Sequence, residues 1–399
     1  MSGNRRRFRT MLVVAAVIGA FAVPMADAET RALEAKRVGR GTNPAISIGL
    51  RIDLPTLGLS YQRGSGVFFN EGVAGGPGMV GWGDEQRLGS GGSPSVGSYS
   101  GATQTGAGVF WTRDTSEGGV LVGRDSFGFE FTSPRVVARK TCNPPGDVVS
   151  FEGLWGLAQE TCLANGNLRL DYVEVPHVEG RSSRTTIDRF PPGSGIDTRY
   201  RVPIASLFPS HTGPRKPISI SILLNPSIIV DQVDGERAVR NRVLVYTSVD
   251  GGETWTRSVV RRTSAELGDV RLAAAVDSLH VVWTERADDA SSDVWFRRCE
   301  PEGSPCDRPV QISAGSGSWV AQDVAACEDH VFVGYTHDGE LWGRYSPDGG
   351  ETWWDPFQVT GDFGPADHWR MVATDVGVHN VFHADDDGSD WVYYFFGLW

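Results

Sequence analysis

Short apolar runs, set apart by Gly, Pro, Asp and Ser, recur along most of the chain. Gly108-Val109-Phe110-Trp111-Thr112, Val120-Leu121-Val122-Gly123, Leu279-His280-Val281-Val282-Trp283-Thr284-Glu285 and Asp390-Trp391-Val392-Tyr393-Tyr394-Phe395 are the clearest. Runs of this length, rich in β-branched and aromatic residues and bounded by turn formers, predict β-strands. Helical periodicity is almost absent. Val67-Phe68-Phe69 and Met79-Val80-Gly81-Trp82 read as strands joined by long Gly/Ser loops, and from Gly213 the strand register is clear to the end.

Two octapeptides organise this pattern. Ser248-Val249-Asp250-Gly251-Gly252-Glu253-Thr254-Trp255 and Ser346-Pro347-Asp348-Gly349-Gly350-Glu351-Thr352-Trp353 are near copies. Asp-Gly-Gly predicts a tight hairpin, with a carboxylate to accept hydrogen bonds from its own turn and two residues that tolerate φ > 0. The Trp then enters the next strand as a large apolar face to be buried against a neighbouring repeat. The two aspartates stand 98 residues apart, about twice the 40–50-residue period of a propeller blade. A third repeat therefore belongs near position 299, where the strands preceding each turn recur but the turn reads Cys299-Glu300-Pro301-Glu302-Gly303-Ser304-Pro305-Cys306. Here a disulfide is expected to replace the hydrogen-bonded turn.

The turn pattern resembles the Asp box, or BNR repeat, of sialidases and related β-propellers. The resemblance implies an all-β propeller of six or seven four-stranded blades with Asp-box hairpins formed by Ser248, Asp250, Gly252, Thr254 and Trp255 and by Ser346, Asp348, Gly350, Thr352 and Trp353. A degenerate box is read at residues 125–134. The Asp boxes themselves are expected to be structural and to lie away from the ligand-binding mouth. The last repeat, with His379-Asn380-Val381-Phe382-His383 followed by Asp390 to Phe395, has no outer strand before Trp399. An N-terminal strand should cover that open edge, and Ala45–Ile52 is the candidate.

Residues 1–28 read as an export signal: Arg5, Arg6, Arg7 and Arg9 precede the apolar run Met11 to Val23, and Ala26-Asp27-Ala28 fits a cleavage site. Arg5-Arg6-Arg7-Phe8 also resembles the twin-arginine signal, leaving Sec and twin-arginine routes open to the periplasm or exterior. Residues 29–44 read as a polar leader and 45–399 as the propeller, with no later run long enough to span a bilayer. Removing the signal takes away four Arg and one Asp, moving the formal charge from −12 to −15. That disfavours nucleic acid as a partner. With 50 Gly, 22 Pro and 13 Trp, the composition suits a turn-rich β protein. Five cysteines in an exported chain suggest pairs Cys299–Cys306 and Cys142–Cys162 with Cys327 left over, although connectivity stays open at this level.

The resemblance also says what a sialidase would need: an arginine triad for the substrate carboxylate, an acid/base Asp, and a Tyr activated by Glu. Tyr200-Arg201-Val202-Pro203 is similar to the motif carrying the first clamp arginine, and Arg240-Asn241-Arg242 to the approach to a later one. Arg201, Arg242 and Arg370 are thus the ligand-binding candidates. The pattern then fails. Residues 204–225 contain no Asp or Glu, so Asp231 is the first available acid, and Glu266-Leu267-Gly268-Asp269-Val270-Arg271 stands where a Tyr-Ser motif is expected. No metal or cofactor is expected: the eight histidines show no H-E-x-x-H spacing, Asp385 to Asp390 reads as a solvated hairpin tip, and no G-x-S-x-G occurs. Two functions follow. A non-catalytic propeller binding a glycan or an extracytoplasmic protein is favoured; an exo-glycosidase of sialidase type with a diverged site is the alternative.

Overall fold

The computed structural model describes residues 35–50, 55–76, 79–100, 105–116, 118–127, 130–142, 147–151, 153–177, 180–192, 241–275, 277–287, 291–313, 315, 317–359, 365–386 and 388–399, and between 193 and 240 only the strand backbones 204–206, 218–224, 231–233 and 236–238. Among these, strands form seven antiparallel units built on four strands each, with Gln86–Ser90 and Glu130–Phe131 as additional short strands on the first two and a separate hairpin of Asp231–Val233 and Glu236–Ala238, and no helix. Their inner strands, in chain order Thr42–Leu50, Gly92–Ser100, Val148–Phe151, Ile204–Ser206, Glu266–Ala274, Trp319–Cys327 and Ala366–Thr374, each neighbour the next, and the last neighbours the first. The ring is closed. The fold is a β-propeller, and its described blades number seven.

Blade 7 shows how the ring is fastened. Its inner strand pairs with Gly377–Asp386, that with Ser389–Leu398, and the fourth strand is Lys36–Arg40 from the other end of the chain. An N-terminal strand does cover the open edge, but it is not Ala45–Ile52. Residues 42–50 are instead the inner strand of blade 1, and of 29–44, read from sequence as a leader, residues 36–40 and 42–44 are in strands. The physical reason is exposure. Lys36, Arg37 and Arg40 lie on the wet outer rim, so the fastening strand has no apolar signature, whereas residues 45–48 look like a strand because they line the packed centre.

Second strands sit between two other strands in their own sheet and between two blades. Leu279–Arg286 is therefore buried along nearly its whole length. Period-two alternation sends Leu279, Val281 and Trp283 to the layer shared with Val243 and Val245 of blade 4, and Val282 to the layer shared with Ala321 and Val333 of blade 6. A strand covered on both faces has to be apolar at consecutive positions.

The Asp-Gly-Gly turns connect third to fourth strands in blades 4 and 6. Asp250 Oδ1 accepts from the backbone amides of Glu253 and Thr254 at 3.1 and 2.9 Å, and Oδ2 from the Thr254 hydroxyl at 2.5 Å. The Thr254 hydroxyl and amide, with Ser248, hold the Asp250 carboxyl well below the usual range. Buried Ser248 accepts from Gly252 N and donates to Asp250 Oδ1, both at 2.7 Å. Ser346, Asp348, Gly350 and Thr352 repeat the arrangement. Each turn also docks on the blade before it: Trp255 lies 5.5 Å from the Tyr172 ring and Trp353 4.9 Å from Phe296. In blade 5 the equivalent place holds the Cys299–Cys306 disulfide, and Gly303 rests against Thr247 of blade 4. A second disulfide, Cys142–Cys162, ties the fourth strand of blade 2 to the second strand of blade 3 beside the ladder contact Thr141–Thr161.

Candidate functional site

Antiparallel alternation fixes two faces. Turns between third and fourth strands lie on one; the starts of the inner strands and the second-to-third connections lie on the other. The Asp-Gly-Gly turns are thus opposite the mouth into which each inner strand descends.

Near that mouth the inner strands of blades 1, 2, 5 and 7 each carry an extra residue. Asn43, Ser93, Asp269 and His368 occupy it with φ of 52°, 49°, 50° and 52°. Opposite stand Tyr61, Trp111, Trp283 and Phe382, each 1 % exposed or less. A bulge bends the strand and re-aims the residues after it. In blade 6 the slip falls at Gln322.

These slips bring charges together at the axis. Arg271 and Arg370 follow the bulges of blades 5 and 7, and both guanidinium groups reach the bulge carbonyl of the blade between: Arg271 Nε donates to Gln322 O at 2.6 Å and Arg370 Nη1 to the same oxygen at 3.0 Å. Each also donates to the carbonyl before it, Val270 O at 2.8 Å and Trp369 O at 2.7 Å. Asp323, next to Gln322, accepts from Met371 N at 2.7 Å and Val324 N at 3.0 Å. Burial raises its carboxyl to about 6; Arg370 opposes the shift, and the charge of Asp147, at the start of blade 3, adds to it. Burial and then the Arg271 charge lower the Arg370 guanidinium. Arg271 Nη2 and Arg370 Nη2 make no hydrogen bond among the described residues. Two guanidinium forks beside carboxylates are a donor–acceptor set for a ligand carrying both an acid group and hydroxyls.

Of the residues singled out from sequence, Arg370 is at this cluster. Arg242 is not: it sits on the third strand of blade 4, two strands and roughly 10 Å out from the channel lining. Arg201 lies outside the described residues. Asp231 begins a small hairpin, 231–238, inserted between the second and third strands of blade 4, and its side chain lies outside them too. Arg271 was missed. A signal existed, since Gly268-Asp269-Val270-Arg271 aligns with Asp367-His368-Trp369-Arg370 at a step of 99 residues, one more than the 98 that relates the two turns.

Tyrosine–carboxylate pairs occur away from the axis. Tyr61 donates to Glu85, Tyr393 to Asp386, and Tyr246 to Asp188 at 2.6 Å. All three belong to second or third strands, and burial raises each phenol's pKa, the wrong direction for a nucleophile.

No protein-family model and no curated protein matches the chain. Solved structures do. The polysaccharide lyase Uly1 superposes with a TM-score of 0.54 at 9 % identity, covering 89 % of this chain and 90 % of the lyase. The Hadza microbial sialidase Hz136 gives 0.46 at 11 %, covering 90 % and 66 %, and the WD40 domain of Toxoplasma gondii coronin 0.45 at 10 %, covering 92 % and 86 %. What the chain shares with the lyase is the fold. Among the described residues no helix is long and apolar enough to cross a membrane.

Proposed function

We propose that this chain is an exported Asp-box propeller that binds a carboxylated glycan at its axial mouth without cleaving it. The convergence of Arg271 and Arg370 on the Gln322 carbonyl carries the reading, because two like charges held side by side are best satisfied by a shared anion. Asp323 and Asp147 supply acceptors for sugar hydroxyls. Export is supported by the arginine-led apolar run before Ala28 and by two disulfides. The tyrosine pairs, buried and remote from the axis, favour binding over the exo-glycosidase alternative.

The test is equilibrium titration with oligosaccharides bearing uronic or sialic acid and with neutral counterparts. Acidic ligands should bind and neutral ones should not. Arg370→Lys keeps the charge but loses the fork, and should weaken acidic-ligand binding roughly tenfold or more, as expected for a charge-assisted contact. Equal affinity for neutral sugars would sink the reading. Robust turnover of an aryl sialoside, lost in Asp323→Asn, would replace it with the enzyme reading.

A further inference from the structure

Apart from the arginine cluster, the bulge of blade 7 gathers a second group of side chains. In a regular strand Asp367 and His368 would point to opposite faces. The extra residue, with His368 at φ 52°, breaks that alternation and brings His368 Nδ1 to 2.7 Å from Asp367 Oδ1. His383, the cross-strand partner of Asp367, places its own Nδ1 2.7 Å from the same oxygen. Its Nε2 lies 2.9 Å from Asp390 Oδ1.

We infer that Asp367, His368 and His383 form a binding site for a divalent transition-metal ion of the zinc class, with Asp390 orienting His383. Their ligand atoms all lie within 4.8 Å of one another; donors on a tetrahedral ion with bonds of about 2.0–2.1 Å are separated by roughly 3.3 Å. Two imidazoles and one carboxylate are a donor set that such ions take, and three protein donors leave a position open to an outside ligand. A carboxylate on the far nitrogen of a ligating histidine fixes ring orientation and tautomer, which is the place Asp390 occupies. The fold does not require this trio. Equivalent positions read Thr42, Asn43 and Gln62 in blade 1, Gly92, Ser93 and Thr112 in blade 2, and Gly268, Asp269 and Thr284 in blade 5, with at most one charged donor each. Asp367 and His368 are solvent-exposed and His383 is half-buried, so an ion has access.

The experiment uses the mature protein stripped with a chelator, titrated with Zn2+ by calorimetry and with Co2+ by visible absorption. One saturable equivalent is expected, with the absorption bands of a low-coordinate cobalt site. His368→Asn tolerates the left-handed backbone, so its apo melting temperature should match the wild type while stoichiometric binding disappears. Asp390→Asn should weaken binding by roughly tenfold to a hundredfold without abolishing it. Binding that is non-saturable, or that survives His368→Asn at wild-type affinity, overturns the assignment.

Discussion

Gly349 and Gly350 give a paired test of how the Asp-Gly-Gly turn is built into the ring. Both have positive φ, 70° and 96°. An alanine at 349 would bring its Cβ 3.1 Å from Arg298 Nη1, the far end of a flexible side chain that can move. At 350 the Cβ would overlap the ring of Phe296, which is 1 % exposed and pinned between blades 5 and 6. Gly349→Ala should thus cost only the left-handed backbone, about 1–2 kcal/mol. Gly350→Ala should add overpacking of about 1–3 kcal/mol, for a total of about 2–5 kcal/mol. Urea unfolding monitored by Trp fluorescence measures both, and a shared slope shows that the difference lies in the native state. Phe296→Leu in the Gly350→Ala background should return part of the loss, with a coupling above about 0.5 kcal/mol. Equal destabilisation by the two alanines, or zero coupling, would mean that the turn does not key into the preceding blade.

The axis, the second disulfide and the buried turn serines extend the reasoning. Asp323 has a raised folded pKa of about 6, so the stability it contributes is present below the unfolded value and lost as pH rises through 6. Asp323→Asn should flatten that part of the pH–stability curve, and affinity for an acidic glycan should rise from pH 7 to 5 in wild type but not in the variant. Cys142–Cys162 closes a loop over a sequence separation of 20, and replacing both by serine should cost about 3 kcal/mol and loosen blade 2 against blade 3 in hydrogen exchange. Ser346→Ala removes the acceptor of Gly350 N and should lower stability by about 1–3 kcal/mol while leaving any glycan affinity unchanged; lost affinity would contradict the placement of turn and mouth on opposite faces.

What could be read from the sequence follows from where each signal is written. Turn chemistry is local, so Asp250, Asp348 and the cysteine replacement at 299–306 were legible, and the spacing gave the period. His280 and His379, read as one recurring structural position, are indeed buried at matching starts of second strands, bonded to Ser278 and Tyr394. Lys36–Arg40 was not legible, because an outer strand facing water needs no apolar residues. Nor was the axial cluster, since Arg271 and Arg370 meet through backbone slips and a carbonyl of a third blade. The Asp367, His368 and His383 group escaped a search for metal spacing for a similar reason: its members are joined by cross-strand register rather than by proximity along the chain.

The fastening of blade 7 by Lys36–Arg40 sets an order of events during synthesis. This strand is the first of the described strands to be made, yet its partner, Ser389–Leu398, comes after all the others. It has no Ser389–Leu398 to pair with until the six intervening blades have been made. Its basic residues suit both stages: charge on an unpaired edge discourages pairing with other chains, and once the partner arrives Arg37 and Arg40 lie over Trp391 at 4.7 and 4.9 Å. Closure of the ring thus joins the two ends of the described chain, and it cannot precede the synthesis of Ser389–Leu398.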